Sequence, residues 1–296
     1  KPPKERSRVW PQSPKLDAIP ANLPAAHEKT PEAVGRYIAS QTTDAFERAR
    51  AVHDYVADRI AYDAVALANH RYPPYDPPTV LKRRLAVCAG YAKLFVAIAK
   101  AAGLQAIYLT GHARQKDGSI DGIGHAWNGV RIAGRWYLLD ATWDSGSVNG
   151  TTFTKHLRTT YFLTPPKIFG VDHFPDDSRW QLRKKPMTRG QFIRQPFMKG
   201  SFYAAGLRLL APLRPQVSVG RQLQVRLELP SGTYALVSPQ KEGQILKRAP
   251  KCGQSSRGVF DCRFPSAGRY TVHICIAHKE YGSYNCVGKV LVNSDA

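Results

Sequence analysis

Hydrophobic side chains recur along this chain with two different periods, and the change from one to the other divides it. Ala45, Ala49, Val52, Val56 and Ile60 fall on one face of a helix that Thr43 is placed to cap, and Thr30-Pro31 is a capping residue followed by a first-turn proline for a helix just before it. Tyr91, Phe95, Ile98 and Ala102 make a second apolar face that begins at Cys88, and Gly103 stands where a helix-ending glycine belongs. Between these helices, Tyr72 to Pro78 holds prolines at 73, 74, 77 and 78 and is expected to be a loop. Gly124 to Trp127 opens a strand that turns at Ala133-Gly134 and returns from Arg135 to Trp143. After about residue 205 the period shortens to two: Leu223, Val225, Leu227 and Leu229, and later Tyr270, Val272, Ile274 and Ile276, alternate with polar residues between turns. That texture predicts an all-β sandwich.

The expected organisation is therefore a Pro-rich extended arm with the first helix cap over residues 1–35, an α+β domain over 36–205, and a β-sandwich over 206–296. Pro2, Pro3, Pro11, Pro14, Pro20 and Pro24 mark the arm. A chain of 296 residues with 43% hydrophobic and 10% aromatic residues fills two cores, which excludes a disordered protein. The most apolar run, Leu94 to Leu104, is interrupted by Lys100 and is too short to span a membrane.

Charge narrows the partners. The net charge is +21, and it is shared: 24 basic against 13 acidic residues lie in 36–205, and 13 against 5 lie in 206–296. An anionic cell-wall polymer or membrane surface is the expected partner. Nucleic acid is disfavoured, because the basic triplets Lys82-Arg83-Arg84 and Arg183-Lys184-Lys185 carry no interleaved aromatic residues for stacking.

The five cysteines divide as one and four. Cys252 and Cys262 are symmetric about Arg257-Gly258, and Cys275 and Cys286 are symmetric about a loop through Lys279 to Gly282, so hairpin geometry predicts bridges Cys252–Cys262 and Cys275–Cys286. No pair has the short spacing of a zinc knuckle, so no metal is expected. Bridges imply an oxidising compartment, secreted or periplasmic. No signal peptide is visible at Lys1, and the expectation is that one has been removed or lies outside this sequence.

Cys88 is left over. Its thiol opens a helix, where free N–H groups and the helix dipole favour a thiolate and offer donors to an oxyanion. If Ala133-Gly134 is a two-residue turn, Trp127 pairs with Asp140, and His125 and Asp140 become diagonal neighbours on one hairpin face. The pair supplies a base and a carboxylate to orient it. Taken singly, each has a plainer role: a small core cysteine, a satisfied core histidine, a loop-capping aspartate. His112 is the rival base, without a carboxylate partner from the register.

Four ordered motifs carry a family resemblance: Val87-Cys88-Ala89-Gly90-Tyr91-Ala92, Ala102-Gly103-Leu104, Gly124-His125-Ala126-Trp127-Asn128 and Trp136 to Asp144. Over roughly residues 36–205 the chain resembles the transglutaminase-like superfamily. Tyr161-Phe162-Leu163, His173-Phe174-Pro175 and Trp180-Gln181-Leu182 are similar to its kyphoscoliosis-peptidase type. The resemblance implies a papain/transglutaminase-like core, with a helix-borne cysteine packed on an antiparallel sheet, ahead of an immunoglobulin-like sandwich. It implies a Cys88, His125, Asp140 triad and matches the family's Tyr-Asp element to Tyr62-Asp63. No Gln precedes Cys88 as in papain, so Tyr62 is the candidate to assist the oxyanion. Among Trp127, Trp136 and Trp143, all more often core than groove wall, Trp127 is the candidate for the cleft. The implied activity is thiol-dependent acyl transfer on protein or peptide amides, without cofactor: peptidase, deamidase or transglutaminase. The alternative is a binding or adhesion protein with a silent or subordinate domain of this kind and a β domain that does the targeting.

Overall fold

The computed structural model describes residues 10–114, 118–120, 124–244 and 250–295, which divide into two units between Pro186 and Met187. Pro2 and Pro3 of the expected arm lie outside the described residues.

In the first unit the helices that position the site are α1 (Pro31–Gln41), α2 (Ala45–Arg59), α3 (Pro77–Arg83), α4 (Cys88–Ala101) and α5 (Ala141–Ser145). Thr30 caps α1 by accepting from Ala33 N–H. Asp44, and not Thr43, caps α2, because its carboxylate reaches both Phe46 and Glu47 N–H. Part of the expected proline loop is also helical: Pro77 and Pro78 occupy the first turn of α3, where a missing N–H costs no hydrogen bond. The largest sheet of this unit holds β1 (Gln105–Ala113), β2 (Gly124–Ile132), β3 (Arg135–Leu139) and β4 (His173–Pro175), antiparallel in the order β3-β2-β1-β4.

Helix α4 is the axis of this unit. Tyr91, Leu94, Phe95 and Ile98 are buried among Val34 and Ile38 of α1, Val52 and Val56 of α2, and Ala106 and Val130 of the sheet. Burial of such side chains contributes about 1.5–3 kcal/mol each, so this packing sets where the first turn of α4 points. Asn128 Nδ2 adds a directional tie, donating 2.9 Å to Ala92 O.

From Trp10 onward the N-terminal segment packs on the first unit instead of extending as an arm. Leu23 is buried in the same core, Arg50 donates to Ser13 O and Lys15 O at 2.8 and 2.9 Å, and Trp10 Nε1 donates to Thr160 O at 2.9 Å. Its prolines stiffen a strap that the domain's own donors and acceptors hold.

The second unit begins earlier than its β texture does. It holds β5 (Phe197–Met198), β6 (Arg208–Ala211), β7 (Gln216–Val219), β8 (Gln222–Glu228), β9 (Tyr234–Lys241), β10 (Gly253–Ser256), β11 (Val259–Arg263), β12 (Gly268–Ala277) and β13 (Asn285–Ser294). One sheet runs β6-β8-β11-β10; the other runs β7-β13-β12-β9, with β5 also on β13. Val225, Leu227 and Phe260 of the first sheet and Val272, Ile274, Val290 and Val292 of the second share one core. Met198 and Phe202 are buried in that core too, so 187–205 pack with the β-rich unit rather than with the domain before it. Cys252 is bonded to Cys262 and Cys275 to Cys286. No helix among the described residues is long and apolar enough to cross a membrane.

Candidate active site

Cys88 is the free thiol of the described residues and forms the first residue of α4. Its first-turn N–H groups lack intrahelical acceptors by the geometry of any helix start. The His125 imidazole and Ala126 N–H both act on the thiol. Burial pushes its pKa up, but the hydrogen bond and positive charge of His125 outweigh burial and hold it below the ordinary thiol value.

The hairpin register places the next two groups. Ala133 and Gly134 both have positive φ, 47° and 80°, which is the two-residue turn whose twist suits a hairpin. Ile132 consequently pairs with Arg135 and Asn128 with Leu139, and Asp140 follows at the strand end. His125 Nε2 lies 2.7 Å from Asp140 Oδ2, leaving Nδ1 for the thiol. Burial disfavours the charged imidazole, yet the charge and hydrogen bond of Asp140, with the thiolate, raise His125 to about 10. Asp140 is pushed up by burial and pulled further down by His125 and His173, ending below the usual carboxylate range.

Asp140 is saturated with donors. Its Oδ1 accepts from Thr142 N–H at 2.8 Å and Trp143 N–H at 3.2 Å as the cap of α5, while Oδ2 takes both His125 and His173 Nε2, the latter at 3.1 Å. His173 Nδ1 contacts Asp172 Oδ1 at 2.7 Å. Both neighbours of this ring are carboxylates and only accept, so both nitrogens carry protons: His173 is a buried imidazolium. Burial opposes that charge, and Asp172 and Asp140 more than restore it. Tyr161 Oη donates to Asp172 Oδ2 at 2.5 Å and closes the network.

The His173-Phe174-Pro175 motif by itself assigns its histidine no role. Its placement depends on Gly111, where a Cβ would run into Phe174 O, so β4 comes close only because β1 has no side chain there. An Asp-His pair such as Asp172-His173 is the one local signal for it.

Trp127 is not a cleft wall. It is 1% exposed, packed with Leu109, Leu138 and Phe169 in a small core beneath the histidines, because strand alternation turns it toward that side of the sheet. Trp143 is the half-buried tryptophan beside the network, with its ring 5.4 Å from His125 and 4.5 Å from His173. Tyr62 stands close to Cys88; burial, then the thiolate's charge, raise its hydroxyl so that it stays a donor. His112 stays apart from this network, and its buried Nδ1 has no hydrogen-bond partner among the described residues.

His125, Asp140 and His173 bring three metal-ligand atoms within 4.8 Å of one another. Two ligands on a tetrahedral zinc, each about 2.0–2.1 Å from it, stand roughly 3.3 Å apart. The 2.7 Å His125–Asp140 contact is the length of a hydrogen bond instead, and both imidazoles converge on one oxygen as donors do.

Residues 32–141 match the family model described as the transglutaminase-like superfamily. Kyphoscoliosis peptidase from Mus musculus is 38% identical over 168 residues, 54% of this chain and 25% of that protein. The Homo sapiens kyphoscoliosis peptidase is 36% identical over 200 residues, 65% of this chain and 30% of that protein. The chain thus spans less than a third of the length of these relatives. A solved TGase structure is 22% identical, with 48% of this chain and 37% of that one covered at a TM-score of 0.33. Residues 32–141 are thus a transglutaminase-like region, and the chain that contains them is similar to the kyphoscoliosis peptidases.

Proposed function

We propose that the protein carries out thiol-dependent acyl transfer on amide bonds of proteins or peptides, with Cys88 as nucleophile, His125 as acid and base, and Asp140 as its orienter. The observation that carries this reading is the half-buried Cys88 thiol at the first turn of α4, held below its ordinary pKa by His125, whose Nε2 is fixed 2.7 Å from Asp140.

The steps follow from the protonation states. His125, raised to about 10, is imidazolium at neutral pH, and its charge favours the thiolate form of Cys88. The thiolate attacks the amide carbonyl carbon, and the oxyanion that forms is met by the Cys88 N–H at the start of α4 and by the Tyr62 hydroxyl. His125 gives its Nδ1 proton to the departing amine, the C–N bond breaks, and a thioester remains on Cys88. An incoming water or amine then yields its proton to His125 and attacks the thioester, releasing the acyl group and restoring the starting pair. Water gives peptide cleavage or, on a glutaminyl thioester, deamidation; a lysine amine gives a cross-link. The two disulfides favour an oxidising, extracytoplasmic site of action, and the net charge of +21 favours an anionic cell-wall polymer or membrane surface there.

Mass spectrometry of extracellular proteins and cell-wall peptides incubated with the wild type and with Cys88→Ala tests the proposal. Cleavage, a deamidation shift or a cross-link is expected with the wild type and none with the variant. Absence of all three with the wild type, or their persistence in Cys88→Ala, rejects the enzyme reading and leaves the β-rich unit as the working part of a binding protein.

A further inference from the structure

The large apolar side chains that the first unit leaves exposed among its described residues are Val65, Tyr72, Tyr75 and Tyr108 at 52%, 51%, 46% and 37%. Tyr75 and Tyr108 gather at α4. Tyr75 packs at the first turn of α4, where a Cβ on Gly90 would stand 3.8 Å from Tyr75 Cβ. Tyr108 is near enough to Cys88 for their charges to interact, and Tyr72 is near enough to Tyr62. Exposed apolar surface concentrated at one place marks a binding site rather than a general surface habit. Pro73, Pro74, Pro77 and Pro78 surround Tyr72 and Tyr75 and restrict their backbone, so this rim is preorganised.

Lys93 lies in the middle of it. Its Nζ is 4.0 Å from the centroid of the Tyr75 ring and 5.6 Å from that of Tyr108. Helical side chains lean toward the N-terminus, so from position 93 the ammonium reaches back over the first turn of α4. Other half-buried cations of this unit have oxygen partners: Arg84 bonds Glu28 and the Tyr55 hydroxyl, and Arg48 bonds three backbone carbonyls. Lys93 is half-buried with two aromatic faces and, among the described residues, no carboxylate. An ammonium fixed by ring faces keeps its hydrogen-bonding capacity for a ligand.

We propose that Lys93, framed by Tyr75 and Tyr108, is a recognition subsite for a carboxylate on the acyl donor, so that preferred substrates are peptides or proteins with an Asp or Glu side chain flanking the reacting amide. This rests on Cys88 being the nucleophile. The tyrosine faces cover the stem of the flanking residue, and Lys93 meets its charge.

Two isosteric labels that need no known substrate test it: N-chloroacetyl-glutamic acid α-amide and N-chloroacetyl-glutamine α-amide. In each the thiolate forms a C–S bond as the C–Cl bond breaks and chloride leaves, and intact mass follows the rate. At low salt the wild type is expected to react about fivefold faster with the glutamic acid label, the size of a partly exposed ion pair. The ratio is expected to fall toward one in Lys93→Met, or in Lys93→Gln should the first variant not fold, and to persist in Lys93→Arg. A ratio near one in the wild type overturns the subsite, as does a preference that survives Lys93→Met. If Cys88 takes neither label faster than free glutathione does, the nucleophile itself is wrong and the subsite falls with it.

Discussion

Asp140 divides its two oxygens between structure and chemistry: Oδ1 caps α5, and Oδ2 serves two histidines. An amide in its place cannot accept from all four donors, and its N–H2 would face an imidazole N–H or a capped amide. Asp140→Asn is expected to lower acyl transfer by about 10⁴-fold, the size seen when a triad loses its orienting carboxylate, and to cost roughly 1 kcal/mol of helix cap. Steady-state rates and urea unfolding measure the two effects separately. His173 acts at one remove, through the same oxygen. Its charged surroundings are Asp140, Asp172 and His125, with the Tyr161 hydroxyl beside them. Removing a cation from this group raises the proton affinity of what remains. In His173→Gln both limbs are therefore expected to move to higher pH: the acid limb, read as Cys88 alkylation by iodoacetamide, and the alkaline limb of acyl transfer, near pH 10 in the wild type. A purely structural role for His173 would lower the rate at every pH and move neither limb.

At the scale of elements, α2 and α5 are joined by a second buried imidazolium. His53 on α2 has Nδ1 2.9 Å from Asp54 Oδ1 and Nε2 3.1 Å from Asp144 Oδ2, with Arg50 also on Asp54 at 2.8 Å. Burial lowers its proton affinity, and hydrogen bonds to Asp144 and Asp54 more than reverse this, giving about 9. A folded-state value above the unfolded one means stability fully present below about pH 6.5 and lost as pH rises through about 9. Urea unfolding of the wild type at pH 6.5, 8 and 9.5 is expected to show that decline. His53→Ala leaves buried Asp144 without its cation, while Asp54 keeps Arg50, and is expected to lose roughly 3 kcal/mol at pH 6.5, with a flatter pH dependence above it. Neither this bridge nor His173 was legible beforehand. The helix that opens at Cys88, its Gly103 end and the Ala133-Gly134 turn were legible because each follows from a local rule: a period, a cap, a positive φ. From that turn the register brought His125 to Asp140. The three-residue β4 has no period to detect, and its approach depends on a missing side chain at Gly111. Alternation assigned Trp127 to a face correctly, but which face opens to solvent depends on Phe169 and Leu138 covering it.

For the whole molecule, the change of hydrophobic period near residue 205 located the β texture but not the boundary of the unit. Phe197–Met198 is too short to alternate, yet it pairs with β13, and Phe202 is wholly buried in the sandwich core. Tertiary pairing thus recruited some twenty residues that look local and loop-like. The cysteines respect the same boundary: both bridges lie in the second unit, and the free thiol lies in the first. Sequence separations of 10 and 11 residues correspond to loop-closure stabilisation of roughly 3 kcal/mol per bridge. Reduction is therefore expected to act on one unit. Calorimetry with and without dithiothreitol should show a transition of residues 187–296 falling by roughly 25 °C. Mass spectrometry after alkylation should find four new thiols there, while the rate of Cys88 labelling in the first unit stays as it was. A reduced protein with that transition unmoved would mean that the shared core of the two sheets, rather than the bridges, sets the stability of the second unit.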